Sequence, residues 1–203
     1  MLELQDAMNS RINPGWRSAG NEWYRAIWIE CGEMLDHYGW KWWKHQEPDM
    51  EQVILEIVDI WHFVLSDLLE SGNSADQIAD LLTAEFQLEY QQHDIRLVIE
   101  SLARQTLDKK QAEVTAFIEL MHAVSLTLDD LYRGYIGKNV LNFFRQDHGY
   151  KQGSYQKLWG GREDNEYLVQ VANSLDVDSE SFQQDLYDEL KRYYTELCVD
   201  ESA

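Results

Sequence analysis

Cysteine is nearly absent from this chain: Cys31 and Cys198 are the two in 203 residues. They are too few and too far apart for a disulfide framework or a thiolate metal cluster, so a reducing compartment is expected and Cys31 reads as a small apolar packing residue. Two prolines and few alternating β-branched runs leave the helix as the main element. Basic side chains are scarce too. Seventeen Lys and Arg stand against 37 Asp and Glu, a formal net charge of −20, which argues against broad affinity for nucleic acid or an anionic membrane. No run approaches the roughly 18 apolar residues that cross a bilayer, and no basic-then-apolar leader opens the sequence, so a cytoplasmic protein is expected.

What is present can build a core. A content of 44% hydrophobic and 12% aromatic residues suits one all-α domain over residues 1–203. Apolar spacing of three and four predicts helices at Leu2 to Ile12, Asn21 to Tyr38, Asp49 to Ser71, Ser74 to Gln91, Asp94 to Thr106, Lys110 to Leu126, Asp129 to Asp147 and Ser179 to Leu197. Asp49 and Gln52 resemble a capping box, and Gly72 is placed to end the helix they open. Gly149 to Gly161, rich in Gly, Tyr and Lys, reads as a loop.

Two of these helices carry acids where burial is expected. Glu30 and Glu33 lie in AIWIECGEML, Glu56 and Asp59 in VILEIVDIWHFVL. Burying carboxylates without a partner is costly, so they must be protonated, paired or bound to a cation. A separation of three puts each pair on one helix face. The short link from Gly39 to Pro48 makes the helices antiparallel neighbours, so residues 21–71 form a hairpin whose facing pairs can hold one or two divalent ions. An all-oxygen set suits a hard cation, Mg²⁺ first with Mn²⁺ as a substitute.

The scarce positive charge is concentrated. Arg133, Lys138, Arg145, Lys151, Lys157 and Arg162 fall in one stretch, and residues 127–165 read as a phosphate-binding helix and loop. On a helix Lys138, Asn142 and Arg145 share a face, and Lys and Arg grip phosphate as point charge and fork. The link GWKWWKHQEPD interleaves Trp40, Trp42 and Trp43 with Lys41 and Lys44. Such tryptophans either stack on a base while the cations meet phosphate, or cap the helical hairpin. A carboxylate cage, a basic grip and an aromatic platform are what a nucleoside triphosphate bound through Mg²⁺ requires. Hydrolysis by a metal-activated water, with a carboxylate accepting its proton, is the reaction class that follows.

At these residues the chain resembles the dimeric all-α dUTPases, relatives of the MazG-type nucleotide pyrophosphatases. The resemblance lies in LQDAMN, WIECGEMLDHYGWKWWK, EPDMEQVILEIVDIWHF and LYRGYIGKNVLNFFRQDHGYKQGSYQKLWGGREDNE. It implies a homodimeric helical bundle of the all-α NTP pyrophosphatase type that hydrolyses dUTP, and dUDP, to dUMP; from the acidic balance no nucleic-acid or membrane partner is expected. It implies magnesium on Glu30, Glu33, Glu56 and Asp59, with Glu33 or Glu30 activating the water. Lys138, Asn142, Arg145, Tyr150, Lys157 and Arg162 are expected on phosphates and sugar, Gln5 and Asn9 on uracil, and Trp42 and His62 on base or ribose. An amide donates and accepts together, as uracil requires, and a rotated amide reads cytosine, so dCTP remains an alternative substrate.

Two other classes compete. A carboxylate-bridged di-iron bundle would use Asp59-x-x-His62 and Glu119-x-x-His122 with Glu30 and Glu89, but it leaves the basic cluster without a task. An acidic adaptor for a basic partner would explain the charge, but it predicts exposed acids rather than acids within an apolar run.

Overall fold

The computed structural model describes residues 1–88, 94–176 and 178–198. Among the described residues the chain is helical apart from one short hairpin. The helices are α1 (Leu2–Ile12), α2 (Trp23–Tyr38), α3 (Met50–Glu70), α4 (Ala75–Phe86), α5 (Ile95–Lys109), α6 (Val114–Ala123), α7 (Leu128–Asp147), α8 (Asp164–Ala172) and α9 (Phe182–Cys198). A 3₁₀ turn covers Trp16–Ser18, and strands β1 (Leu158–Trp159) and β2 (Arg162–Glu163) precede α8. The all-α expectation holds. Two compact units, Met1–Tyr135 and Ile136–Ala203, divide the chain within α7.

The first unit is organised on α3. Val53, Ile57, Val58, Ile60, Val64 and Leu65 are fully buried, so this helix is covered nearly all round, as its continuous apolar run requires. Asp49 caps it by accepting from the Gln52 backbone N–H at 3.2 Å, and Gly72, at φ +85°, lies just past its end in a conformation that disfavours a Cβ. Helix α2 runs antiparallel to α3: Trp23 stacks on Phe63 near one end, and the Asp49 N–H bonds the His37 carbonyl near the other. Helix α5 covers α2, α6 covers α5, and Trp61 of α3 stacks on Phe117 of α6 at 5.0 Å. At Gly134 the start of α7 meets α3 so closely that a Cβ would lie 2.8 Å from the Val58 Cγ2.

The second unit gathers the rest of α7, the β-hairpin, α8 and α9 around Phe144, Trp159, Tyr167 and Leu186. Trp159 stacks on Tyr167 at 5.2 Å, and Tyr155 on Tyr194 at 5.4 Å.

Several boundaries differ from the sequence expectation. The loop expected over Gly149 to Gly161 contains β1, because Gly160 and Gly161, at φ +55° and +87°, form a two-residue turn that pairs Trp159 with Arg162. Helix α8 was not anticipated; it starts at a capping box between Glu163 and Glu166. The helix expected from Lys110 begins at Val114, since Lys110 takes the left-handed conformation (φ 55°) that ends α5. Helix α2 starts at Trp23 rather than Asn21, whose amide donates instead to the Trp16 carbonyl. The expected extension of α4 to Gln91 reaches residues 89–91, and these, with Glu89 of the di-iron reading, lie outside the described residues.

Candidate functional site

Antiparallel packing of α2 on α3 brings the expected acids together. Glu30, Glu33 and Glu56 each place a carboxylate oxygen within 4.8 Å of one another. Asp59 does not join that group, but it is the largest of the charges acting on Glu30. Burial and then the charges of Asp59, Glu56 and Glu33, with a hydrogen bond to Glu56, push the Glu30 carboxyl from its ordinary 4.5 up to about 8. Glu56 is 7% exposed, while Glu33 stands at the exposed rim. His37, one turn beyond Glu33, sets its Nε2 3.4 Å from the Glu56 Oε1. Sequence reasoning passed it over, although the spacing of Glu30, Glu33 and His37 along one helix face was available as a signal.

The set fits a hard divalent cation. Ligand oxygens at roughly 2.0–2.6 Å from a metal stand at most about 5 Å apart, and the three carboxylates meet that limit. Crowding that forces a proton onto Glu30 is what a bound cation would relieve.

A second cluster lies at α1. Gln5 and Asn9 are buried, one turn apart, and face Ser66 and His62 of α3. The Gln5 Nε2 donates to the Asn9 Oδ1 at 3.1 Å and to the Ser66 Oγ at 3.0 Å; the Asn9 Nδ2 donates to the same Oγ at 2.9 Å. The Gln5 Oε1 accepts from the His62 Nδ1 at 2.7 Å, and the Tyr135 hydroxyl stands 3.1 Å from both the Gln5 Oε1 and the Met1 carbonyl. The His62 ring stacks on Tyr135 at 4.4 Å. Ser66 and Tyr135 were not anticipated, because a serine and a tyrosine on apolar helix faces carry no signal until their distant partners are known.

In the link between α2 and α3, Trp42 is 89% exposed and Trp43 stands edge-on to both Trp40 and Trp42 at 5.3 Å. These tryptophans do not fill the edge of the core. The Lys41 ammonium pairs with Asp36 at 3.0 Å, and Lys44 is exposed. The Lys41 backbone N–H donates to the Gln46 Oε1 at 2.8 Å, tying that end of the link to Gln46, which packs against Gly39.

Within the second unit Lys138, Asn142 and Arg145 do share one face. Arg145 donates to Asn142 at 3.3 Å, and both Lys138 and Arg145 donate to the Asn165 Oδ1, at 3.0 and 3.3 Å. The Arg145 fork closes on Asp164, which is fully buried, with two bonds of 2.8 Å. The Tyr155 hydroxyl donates to the same carboxylate, and burial beside that charge raises its pKa. The Tyr150 ring lies under Arg145 at 5.9 Å. Lys157 pairs with Glu163 at 3.3 Å, and Arg162 with Glu166 at 3.2 Å while covering the Tyr167 ring.

An all-α scaffold whose helical hairpin converges carboxylates on a volume suited to a hard cation defines the broad class. Residues 1–150 match the dUTPase family, about three quarters of the 203, and the chain belongs to the all-α dUTPases. Family membership makes it a dUTP diphosphatase. No curated protein matches it. No helix among the described residues is long and apolar enough to cross a membrane.

Proposed function

We propose that this enzyme hydrolyses dUTP, and dUDP, to dUMP in a Mg²⁺-dependent reaction, with Mn²⁺ as a substitute, limiting uracil incorporation into DNA and supplying dUMP. The observation that carries this reading is the convergence of Glu30, Glu33 and Glu56 within 4.8 Å in a chain of this family. Glu30, Glu33, Glu56 and Asp59 hold the cation. When bound, it supplies neutralisation of phosphate charge and acidification of a water. Glu33, at the exposed rim, accepts the proton of the attacking water on a carboxylate oxygen, with Glu30 as the alternative acceptor.

Gln5 and Asn9 read uracil, with Trp42 and His62 near base or ribose. The family resemblance assigns Lys138, Asn142, Arg145, Tyr150, Lys157 and Arg162 to phosphates and sugar, and the interleaving of Lys41 and Lys44 with the link's tryptophans adds those two cations to the phosphate contacts. The convergence of the first three on one helix face supports part of that assignment. A homodimer belongs to the same reading, supported by an exposed apolar groove lined by Trp28, Leu35 and Leu107, and is checked by light scattering.

The di-iron reading gains no observation. The grouped carboxylates among the described residues include no histidine, and the His62 Nδ1 donates to Gln5. The test is hydrolysis of each deoxy- and ribonucleoside triphosphate with Mg²⁺ and with EDTA, resolving the phosphate products. Magnesium-dependent release of dUMP from dUTP, with little action on dTTP, is expected. Turnover that survives EDTA would overturn the cage assignment, and equal turnover of all nucleotides would overturn the assignment of base reading to Gln5 and Asn9.

A further inference from the structure

We infer that Ser66 is a specificity-determining residue: its hydroxyl fixes which way the Gln5 and Asn9 amides point, and so sets discrimination between uracil and cytosine. The inference rests on the proposal that this amide pair reads the base, with Asn9 presenting the groups that meet it and Gln5 fixing their order. It follows from the direction of each bond in the cluster.

The Ser66 Oγ lies 2.8 Å from the His62 backbone carbonyl, which can only accept, so the one hydroxyl hydrogen is spent there. That oxygen can then only accept from the two amides. Both must turn their NH₂ groups toward it, as the 3.0 Å and 2.9 Å contacts of Gln5 and Asn9 show. The Gln5 Oε1 is thereby turned toward His62 and Tyr135. Since this oxygen also only accepts, the His62 Nδ1 carries a hydrogen.

Both hydrogens of the Gln5 NH₂ are used, one on Ser66 and one on the Asn9 Oδ1. Asn9 therefore keeps one N–H and one lone pair, in a fixed order. Uracil sets an acceptor, O4, beside a donor, N3–H; cytosine sets a donor, N4–H, beside an acceptor, N3. For one pose of the ring a fixed order is complementary to one of the two bases. Cytosine requires the rotated amide, and rotation would place two acceptors, a carbonyl oxygen and the Ser66 Oγ, against each other in a buried site where Ser66 is 1% exposed.

A merely structural serine would affect both nucleotides alike, so the readout is a ratio. Ser66→Ala is expected to lower the ratio of kcat/KM for dUTP to that for dCTP by about tenfold or more, chiefly through KM. Ser66→Thr, which keeps the hydroxyl, is expected to retain the wild-type ratio. An unchanged ratio in Ser66→Ala overturns the inference when Asn9→Ala impairs dUTP turnover. If Asn9→Ala leaves dUTP turnover intact, the base-reading proposal fails and the inference fails with it. Should Ser66→Ala not fold, ¹⁵N spectra of the His62 ring in the wild-type protein decide the same question. The Nδ1–H form is expected, and an Nε2–H neutral ring would overturn the bond order on which the inference stands.

Discussion

Replacing Glu30 by Gln should stabilise the metal-free protein while destroying its response to magnesium. The Glu30 carboxyl is raised from 4.5 to about 8, by burial first and by the surrounding carboxylates next. A raised carboxyl holds its proton longer in the folded chain than in the unfolded one. Between pH 4.5 and about 8 the folded state binds more protons, so stability is full below that window and falls as the pH climbs through it. For a fully shielded group the rise would correspond to roughly 5 kcal/mol; Glu30 is only partly shielded, and screening by water reduces this to about 2 kcal/mol. In a chain of this size that equals a melting shift of about 4–8 °C. The assay is calorimetry of wild type and Glu30→Gln in EDTA, at about pH 4 and about pH 8.5. The variant should melt higher at the alkaline end, match wild type at the acid end, gain little from Mg²⁺ and have lost hydrolysis. Equal melting at alkaline pH, or magnesium stabilisation equal to that of wild type, would refute the account of the cage.

Other substitutions separate chemistry from scaffold. Glu56→Gln keeps the size of the side chain and removes one charge from the cage, so dUTP hydrolysis should fall about a thousandfold or more with an unchanged helical circular dichroism spectrum. Arg145→Met leaves the buried Asp164 carboxylate without its fork, and urea unfolding should show a loss of about 3 kcal/mol. At Gly39, φ is +93° and a Cβ would stand 2.8 Å from the Gln46 Cβ, so Gly39→Ala should cost about 1–3 kcal/mol by the same measurement and disturb the link that carries Trp42.

The carboxylate pairs were legible because acids within an apolar run contradict their surroundings, and the contradiction has few resolutions. The shared face of Lys138, Asn142 and Arg145 was legible for a different reason: helical spacing is geometry, and the helix was long enough to trust. What that face meets was not legible, since Asp164 and Asn165 belong to the nine-residue α8, whose opening cap is a glutamate rather than the usual serine or aspartate. The Gly160–Gly161 turn did carry a hairpin signal, obscured by the glycine and tyrosine around it. His37 and Ser66 differ in this respect. Each acts on a group in another helix; the spacing of His37 from Glu30 and Glu33 was a signal, whereas no local pattern distinguishes a serine among apolar residues from an ordinary packing position.

The Gln5–Tyr135 hydrogen bond joins positions 130 apart in the chain. A growing polypeptide delivers the amino-terminal helix early and α7 late, and closing so long a loop forgoes more chain entropy than closing the α2–α3 hairpin does. The hairpin, with its crowded acids, can therefore assemble while synthesis continues, whereas the Gln5 carbonyl gains its phenolic partner only after residue 135 has left the ribosome. The carboxylate hairpin and the Gln5 cluster would thus mature at different moments in the life of the same molecule.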